Sequence, residues 1–433
     1  MLAKIWKILL IMYVFILPWQ TRFIYEPRFL NGGFWEYGSA SFFGSEILLW
    51  IIVILFAIDF FRKKSFSHLF GKIHYETHKK NLWLAMSVIF FIIVLVLHSV
   101  NRVVSYEYAF RILEGVCLFL VLAGSGEKNK LLHSFWLGAI VQALLGIYQF
   151  FSQAVVANKW LGLAAHKPAE LGSFVVEFGD ERWLRAYGAF GSPNILGGFL
   201  AAAFVLGIIL YLYSSPASKI YLILGQSIIL TGLVMSFSRG AWAAAIFGWV
   251  ICGIYIIYTG KNKELPFFKR YHLFGPYLKQ SIFYAVIFAG LFTLLSPIFF
   301  VRFNSSYRLE AKSLSDRGKQ YQESFKILNK NLLLGVGPGA YTYQLYKNEP
   351  TKKVYDYQPV HNIYFLILCE WGIFGFAFWA ALFGFVIREI WRRRPEYLAL
   401  IFTVLLAAAF DHFWWSLPGG MALWWVIFGM LLA

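Results

Sequence analysis

The chain has 433 residues, of which 59% are hydrophobic and only 14% charged. A soluble globular domain carries about 25% charged residues, so this composition excludes an ordinary soluble enzyme. The net charge of +17 lies between apolar blocks rather than on one soluble basic face, which argues against nucleic-acid binding.

A bilayer core of about 30 Å needs about 20 apolar residues per helix. In chain order, apolar blocks predict spans at 5–18, 45–61, 81–99, 107–124, 132–152, 194–213, 219–237, 241–259, 281–300, 361–387, 397–411 and 420–433. The first, eleventh and twelfth are short, so the range is about ten to twelve. Lys4 and Lys7 precede the first block, but Pro18-Trp19-Gln20 after it offers no small-residue cleavage site. It reads as a retained signal anchor. The expected fold is all-α, a polytopic transmembrane helical bundle of about 12 spans with one long loop containing amphipathic helices. Residues 1–300 hold the first nine spans, 301–360 the loop, and 361–433 the last three.

Basic residues orient this bundle. With the N-terminus inside, the cytoplasmic side collects twenty Lys and Arg, chiefly over 62–80, 261–279 and 388–394, against eight in short outer loops. Long loops are largely exempt from the positive-inside rule. Both termini are therefore expected in the cytoplasm and the long loop outside it. Cys117, Cys252 and Cys369 all fall inside expected spans, so no disulfide framework is expected. No Cys/His spacing suggests zinc, and no metal or cofactor is predicted.

Charge inside the spans is sparse. Arg111 and Glu114 lie three apart on one helix face and are expected to pair with each other. Glu370 sits midway along the tenth span, where a carboxylate is costly.

Polar residues gather at four outer places. Arg185 precedes Gly191-Ser-Pro-Asn194, a turn and helix start. Arg239, in Ser236-Phe-Ser-Arg-Gly240, lies at the outer boundary of a tight turn. Ser315-Asp-Arg317 is predicted to cap and open an amphipathic helix, with Tyr321, Phe325 and Leu328 on one face. Arg317 would then stand against the helix dipole, which favours an anionic partner. Last comes Gly335-Val-Gly-Pro-Gly339, followed by Ala340-Tyr341 and then His361-Asn362. The glycine run lacks the Lys-Ser/Thr ending of a nucleotide loop and reads as a sharp turn for close backbone approach.

Four segments together resemble the O-antigen ligase and polymerase superfamily of bacterial membrane glycosyltransferases. They are GSPN at 191–194, SFSRGAWAA at 236–244, GVGPGAY at 335–341 and HNIYFLILCEWGIFGF at 361–376. The resemblance covers roughly 180–380. It implies transfer of a glycan from an undecaprenyl-diphosphate carrier to an acceptor hydroxyl outside the bacterial cytoplasmic membrane. The acceptor would be a glycan, a lipid core or a protein. Arg239, Arg317 and His361 match the family's catalytic residues. Arg185, Asn194, Gly337, Gly339, Tyr341 and Asn362 are expected to bind substrate.

The chemistry fits these residue types. A guanidinium binds phosphate bidentately and stays charged, so arginines can neutralise a diphosphate leaving group. A neutral histidine can take the acceptor's proton. A direct single displacement with inversion at the anomeric carbon is expected. A repeat-unit polymerase shares the donor chemistry and differs in its acceptor. A lipid-linked glycan transporter would instead need midplane ionisable residues and internal repeats.

Overall fold

The computed structural model describes residues 2–62, 86, 90–260 and 273–433. Most of the basic loop expected over 62–80, most of that over 261–279, and eight residues of the span expected over 81–99 lie outside them; residues 90–98 of that span are helical.

Among the described residues the chain is helical. The helices are α1 (Leu2–Ile16), α2 (Gly44–Arg62), α3 (Arg102–Ala123), α4 (Lys128–Ser152), α5 (Pro193–Tyr213), α6 (Pro216–Met235), α7 (Arg239–Gly260) and α8 (Phe274–Leu294). After them come α9 (Ser296–Phe303), α10 (Arg308–Lys330), α11 (Tyr341–Asn348), α12 (Ile363–Arg393), α13 (Leu398–Ala408), α14 (Phe413–Ser416) and α15 (Pro418–Leu432).

Seven of these, α2, α4, α5, α6, α7, α8 and α12, are long and apolar enough to cross a bilayer. That establishes a polytopic helical membrane protein, but not all twelve expected spans. Helix α1 has 15 residues, α13 has 11 and α15 has 15. Helix α3 carries Arg102, Glu107, Arg111 and Glu114. The span expected over 281–300 stops at Leu294 and resumes as the short α9 at Ser296-Pro297.

Helix α5 is the centre of the bundle. Its apolar window is 94% buried, and it packs against α4, α6, α7 and α13. The run Ala201-Ala202-Ala203 is fully buried, and small side chains let helix backbones approach closely without a hydrophobic drive between them. Ser192 caps the helix through the amide of Asn194, with Pro193 in its first turn. A rigid, capped helix thus fixes Asn194 at one end of the core.

The pairing expected inside α3 is only partly formed. Arg111 makes its main ion pair with Glu46 of α2, while Glu114 lies 4.0 Å away. Glu114 instead accepts a hydrogen bond from Trp50 Nε1 at 2.9 Å. The α2–α3 contact satisfies these charges better than one helix face does.

Three small antiparallel hairpins accompany the helices. Strands β1 (Arg22–Glu26) and β4 (Ala40–Phe43) enclose β2 (Phe29–Leu30) and β3 (Gly33–Phe34). Strands β5 (Val175–Phe178) and β6 (Glu181–Leu184) pair just before Arg185.

The glycine run is close-packed against α12. Helix α12 breaks at Gly372, whose φ is +64°. Val336 N donates to Cys369 O at 2.9 Å, Gly337 N to Glu370 O at 2.8 Å, and Ile373 N to Leu332 O at 2.8 Å. The backbone groups freed by the helix break are therefore paired with the loop, as a membrane interior requires. The Glu370 carboxylate faces the amides of Gly339 and Tyr341, which gives this mid-span acid a structural task.

Candidate active site

Helix α10 is placed by charge. Arg302 at the end of α9 pairs with Glu310 in the first turn of α10, so the chain turns back on itself. The helix therefore starts at Arg308 and runs 23 residues to Lys330. This corrects the helix start expected at Ser315–Arg317. Arg317 lies in the middle of α10, and a dipole effect limited to the terminal turn does not bear on it. Tyr321 and Phe325 of the expected apolar face pack edge-on against Phe365 of α12, which lays α10 on the bundle.

The tight turn at 236–238 is held by two guanidiniums. Phe237 is a buried non-glycine residue with φ of +47°, a conformation that costs roughly 1 kcal/mol or more. Arg185 Nε donates to Ser236 O at 2.8 Å. Arg302 Nε and Nη2 donate to Phe237 O at 3.1 and 2.9 Å. Arg239 begins α7 directly after this turn, donating to Arg302 O at 2.9 Å and pairing with Glu310 at 3.0 Å.

These elements enclose a cavity of about 480 Å³. Arg185, Asn194, Arg239, Arg317 and His361 all line it, together with Arg302 and Lys312. The carboxylates on its wall are Glu310, Asp316 and Asp411. Five cations against three carboxylates leave the wall positive. Arg185 is buried rather than solvated. It starts a hydrogen-bond chain: Arg185 Nη2 donates to Asn194 Oδ1 at 2.7 Å, and Asn194 Nδ2 to Asp411 Oδ2 at 3.2 Å. Among the described residues, Arg317 has no ion pair or hydrogen bond and faces the cavity with its guanidinium open.

His361 stands one residue before the helix cap. Its Nδ1 lies 2.8 Å from Gln320 Oε1, which also accepts the His361 backbone amide at 3.4 Å. A backbone amide can only donate, so the facing atom of Gln320 is an oxygen and Nδ1 carries the proton. The Nε2 lone pair is left open. Burial lowers the pKa of His361, and Asp411 acts against that shift. The imidazole is therefore neutral at ordinary pH, chiefly through burial.

A second cavity of about 730 Å³ shares Asn194, His361 and Asp411 with the first. It extends past Tyr37, Glu36 and Arg22 of the N-terminal hairpin region. His361 thus stands where two cavities meet.

Four expected binding residues have other placements. Asn362 caps α12, its Oδ1 accepting the amides of Tyr364 and Phe365. A Cβ at Gly337 would meet Ser99 at 2.2 Å, and one at Gly339 would meet Tyr108 at 2.9 Å. Tyr341 is buried, with its hydroxyl 2.8 Å from Ser324 Oγ. None of the four lines either cavity.

Arg302, Glu310, Gln320, Asp411 and His412 were not singled out from the sequence. Arg302 and Glu310 sit on two separate helices joined by a turn, so no helical periodicity links them. Asp411 and His412 lie fifty residues after His361, and only folding brings them together. His361, Asp411 and His412 each offer one ligand atom, all within 4.8 Å of one another. No local metal spacing could have revealed this group.

Residues 224–380 match the family model described as O-antigen ligase. The match contains Arg239, Arg302, Glu310, Arg317 and His361, and ends before Asp411. No curated protein matches the chain.

Proposed function

Since residues 224–380 place this membrane protein in the O-antigen ligase superfamily, we propose that it is a metal-independent, inverting glycosyltransferase. It moves a glycan from an undecaprenyl-diphosphate carrier to an acceptor hydroxyl. The observation that carries this reading is the division of labour in the positive cavity. Arg185, Arg239 and Arg302 are engaged with the protein, while Arg317 is open at its wall. Such a site is preorganised for a diphosphate and spares one planar fork to grip it.

The donor diphosphate occupies the arginine-lined cavity, and the acceptor enters from the cavity that meets it at His361. The acceptor oxygen attacks the anomeric carbon as the bond from that carbon to the phosphate oxygen breaks. The hydroxyl proton passes to His361 Nε2, and the leaving diphosphate keeps the electron pair. Developing charge falls on guanidiniums, which do the neutralising that a divalent cation does in other transferases.

The site faces outward from the bacterial cytoplasmic membrane, with both termini inside, as the basic-residue bias favours. The acceptor is a glycan, a lipid core or a protein. Residues 301–360 act as an outer unit that carries Arg317 over the site. Purified protein with a lipid-linked glycan and candidate acceptors tests the reading, scored by product mass. One new glycosidic bond to a different acceptor supports a ligase, and a ladder of repeats marks a polymerase. Undiminished turnover in both Arg317→Ala and His361→Ala would sink the assignment.

A further inference from the structure

His361 precedes α12, and Asp411 and His412 follow α13, yet their ligand atoms converge within 4.8 Å. Both imidazoles have a polar partner at Nδ1. Nδ1 of His361 donates to Gln320 Oε1. His412 Nδ1 lies 2.6 Å from Ser416 Oγ, which itself lies 3.1 Å from His412 O. With Nδ1 of each ring engaged in this way, Nε2 is the nitrogen each ring can offer to a cation. Asp411 supplies only further lone pairs, since its oxygens accept from Phe413 N at 3.3 Å and Asn194 Nδ2 at 3.2 Å. Two imidazoles and a carboxylate thus each bring one ligand atom within 4.8 Å of the others in a largely buried place. That donor set fits a cation.

We propose that His361, Asp411 and His412 bind one divalent transition-metal ion of the zinc type, and that this ion shuts off the proposed transferase. Two imidazoles and one carboxylate, with a fourth position open to a cavity, suit Zn²⁺ and its neighbours. Gln320, Ser416 and Asn194 already hold each ligand by its far side, the outer support that such sites use. With metal–ligand bonds of about 2.1 Å, ligand atoms in a tetrahedron lie roughly 3.4 Å apart, so atoms now within 4.8 Å of one another close by at most about 1.4 Å when the ion binds. Arg317 acts on both His361 and Asp411, and Asp316 offsets it at His361. The metal takes the same Nε2 lone pair that would accept the acceptor's proton, so bound metal and general base exclude each other. The inhibitory part rests on the proposed function; the binding part does not.

The test uses full-length, tag-free protein in detergent, stripped by a chelator and titrated with Co²⁺. The expected result is one Co²⁺ per chain with visible absorption from nitrogen and oxygen ligands, and no thiolate band. His412→Ala should abolish it, and Ser416→Ala should weaken it about 10- to 100-fold, with unfolding midpoints checked beside the parent. If His412→Ala does not fold, His412→Gln and Ser416→Ala carry the test. No saturable binding below about 0.1 mM, or an affinity indifferent to these changes, overturns the site and leaves a proton as the cation. In the transfer assay, one equivalent of Zn²⁺ should stop the parent, chelator should restore it, and whatever transfer remains after His412→Ala should be indifferent to Zn²⁺. Binding without inhibition overturns His361 as a ligand. Metal-free protein that binds Co²⁺ but makes no product counts against the transferase reading alone.

Discussion

Glu310 stands between Arg239 and Arg302 and gives each guanidinium one carboxylate oxygen. Its Oε2 lies 3.0 Å from Arg239, an ion pair without a well-aligned hydrogen bond, and its Oε1 takes Arg302. The carboxylate is almost fully buried. Two cations side by side would repel without it, and one acid holds them at a fixed separation. Removing one partner of a buried ion pair costs about 3–5 kcal/mol, because the remaining charge is left uncompensated. Glu310→Gln is therefore expected to lower the thermal unfolding midpoint in detergent and to reduce transfer. A variant as stable as the parent would show that the cavity tolerates both arginines unpaired.

Arg317 should behave differently. It lines the same cavity, yet no carboxylate among the described residues pairs with it. Its loss removes little from the fold. If it meets the donor diphosphate as charge develops there, Arg317→Ala lowers the turnover number by about 10²–10³ with an unchanged unfolding midpoint. Arg317→Lys keeps the charge without the planar fork and should recover only part of the rate. Single-turnover assays with saturating donor check both. Wild-type rates in Arg317→Ala would remove it from the chemistry.

What the sequence makes legible here follows from its chemistry. Arg185, Arg239, Arg317 and His361 stand out because charge is scarce in a chain of apolar blocks, and all four meet at one cavity. The start of α10 was hidden for the opposite reason. Ser315-Asp316 looks like a cap, while the true N-cap, Tyr307, makes no side-chain cap hydrogen bond. That helix is started by the ion pair between Arg302 and Glu310, a tertiary contact. Asp411 and His412 sit beside an aromatic run and lose their meaning until α13 and α12 are side by side. The hairpins near Arg22 and Val175 are short and half-exposed, so their pattern is too weak to read between spans.

The glycine loop makes a prediction about the fold rather than the chemistry. A Cβ at Gly372 would lie 2.2 Å from Leu333 O, and one at Gly335 would lie 2.4 Å from the Glu370 carbonyl. Both glycines also have φ near +65°. Each packs against the backbone where the other's segment passes. Gly372→Ala and Gly335→Ala should each cost more than about 2 kcal/mol, read as a lower unfolding midpoint or loss of folded yield. Gly290 in α8 is the control, since a Cβ there meets nothing within 4 Å. Gly290→Ala should be neutral or stabilising by up to about 1 kcal/mol. Equal effects at all three positions would mean that the loop does not need its close approach.

Gln320 is the residue that selects the useful tautomer of His361. Its Oε1 takes the Nδ1 proton at 2.8 Å and leaves Nε2 bare. Gln320→Leu removes that acceptor, so the imidazole can turn or carry its proton on the wrong nitrogen. The expected loss in turnover is about 10- to 100-fold, within the range of general-base assistance, at an unchanged unfolding midpoint. The pH profile separates positioning from packing. In chelator-treated protein His361 must be neutral to act, and burial sets its pKa below the usual 6.5. Transfer should therefore be flat above that value and fall only as pH drops through the lowered pKa. The donor diphosphate diester is fully ionised across this range and adds no step of its own. Gln320→Glu keeps an acceptor at Nδ1 and adds a negative charge beside it, which favours the imidazolium. Its acid limb should move to higher pH while the plateau rate stays close to the parent. A Gln320→Glu profile superimposable on the parent would show that His361 is not the group whose protonation stops transfer.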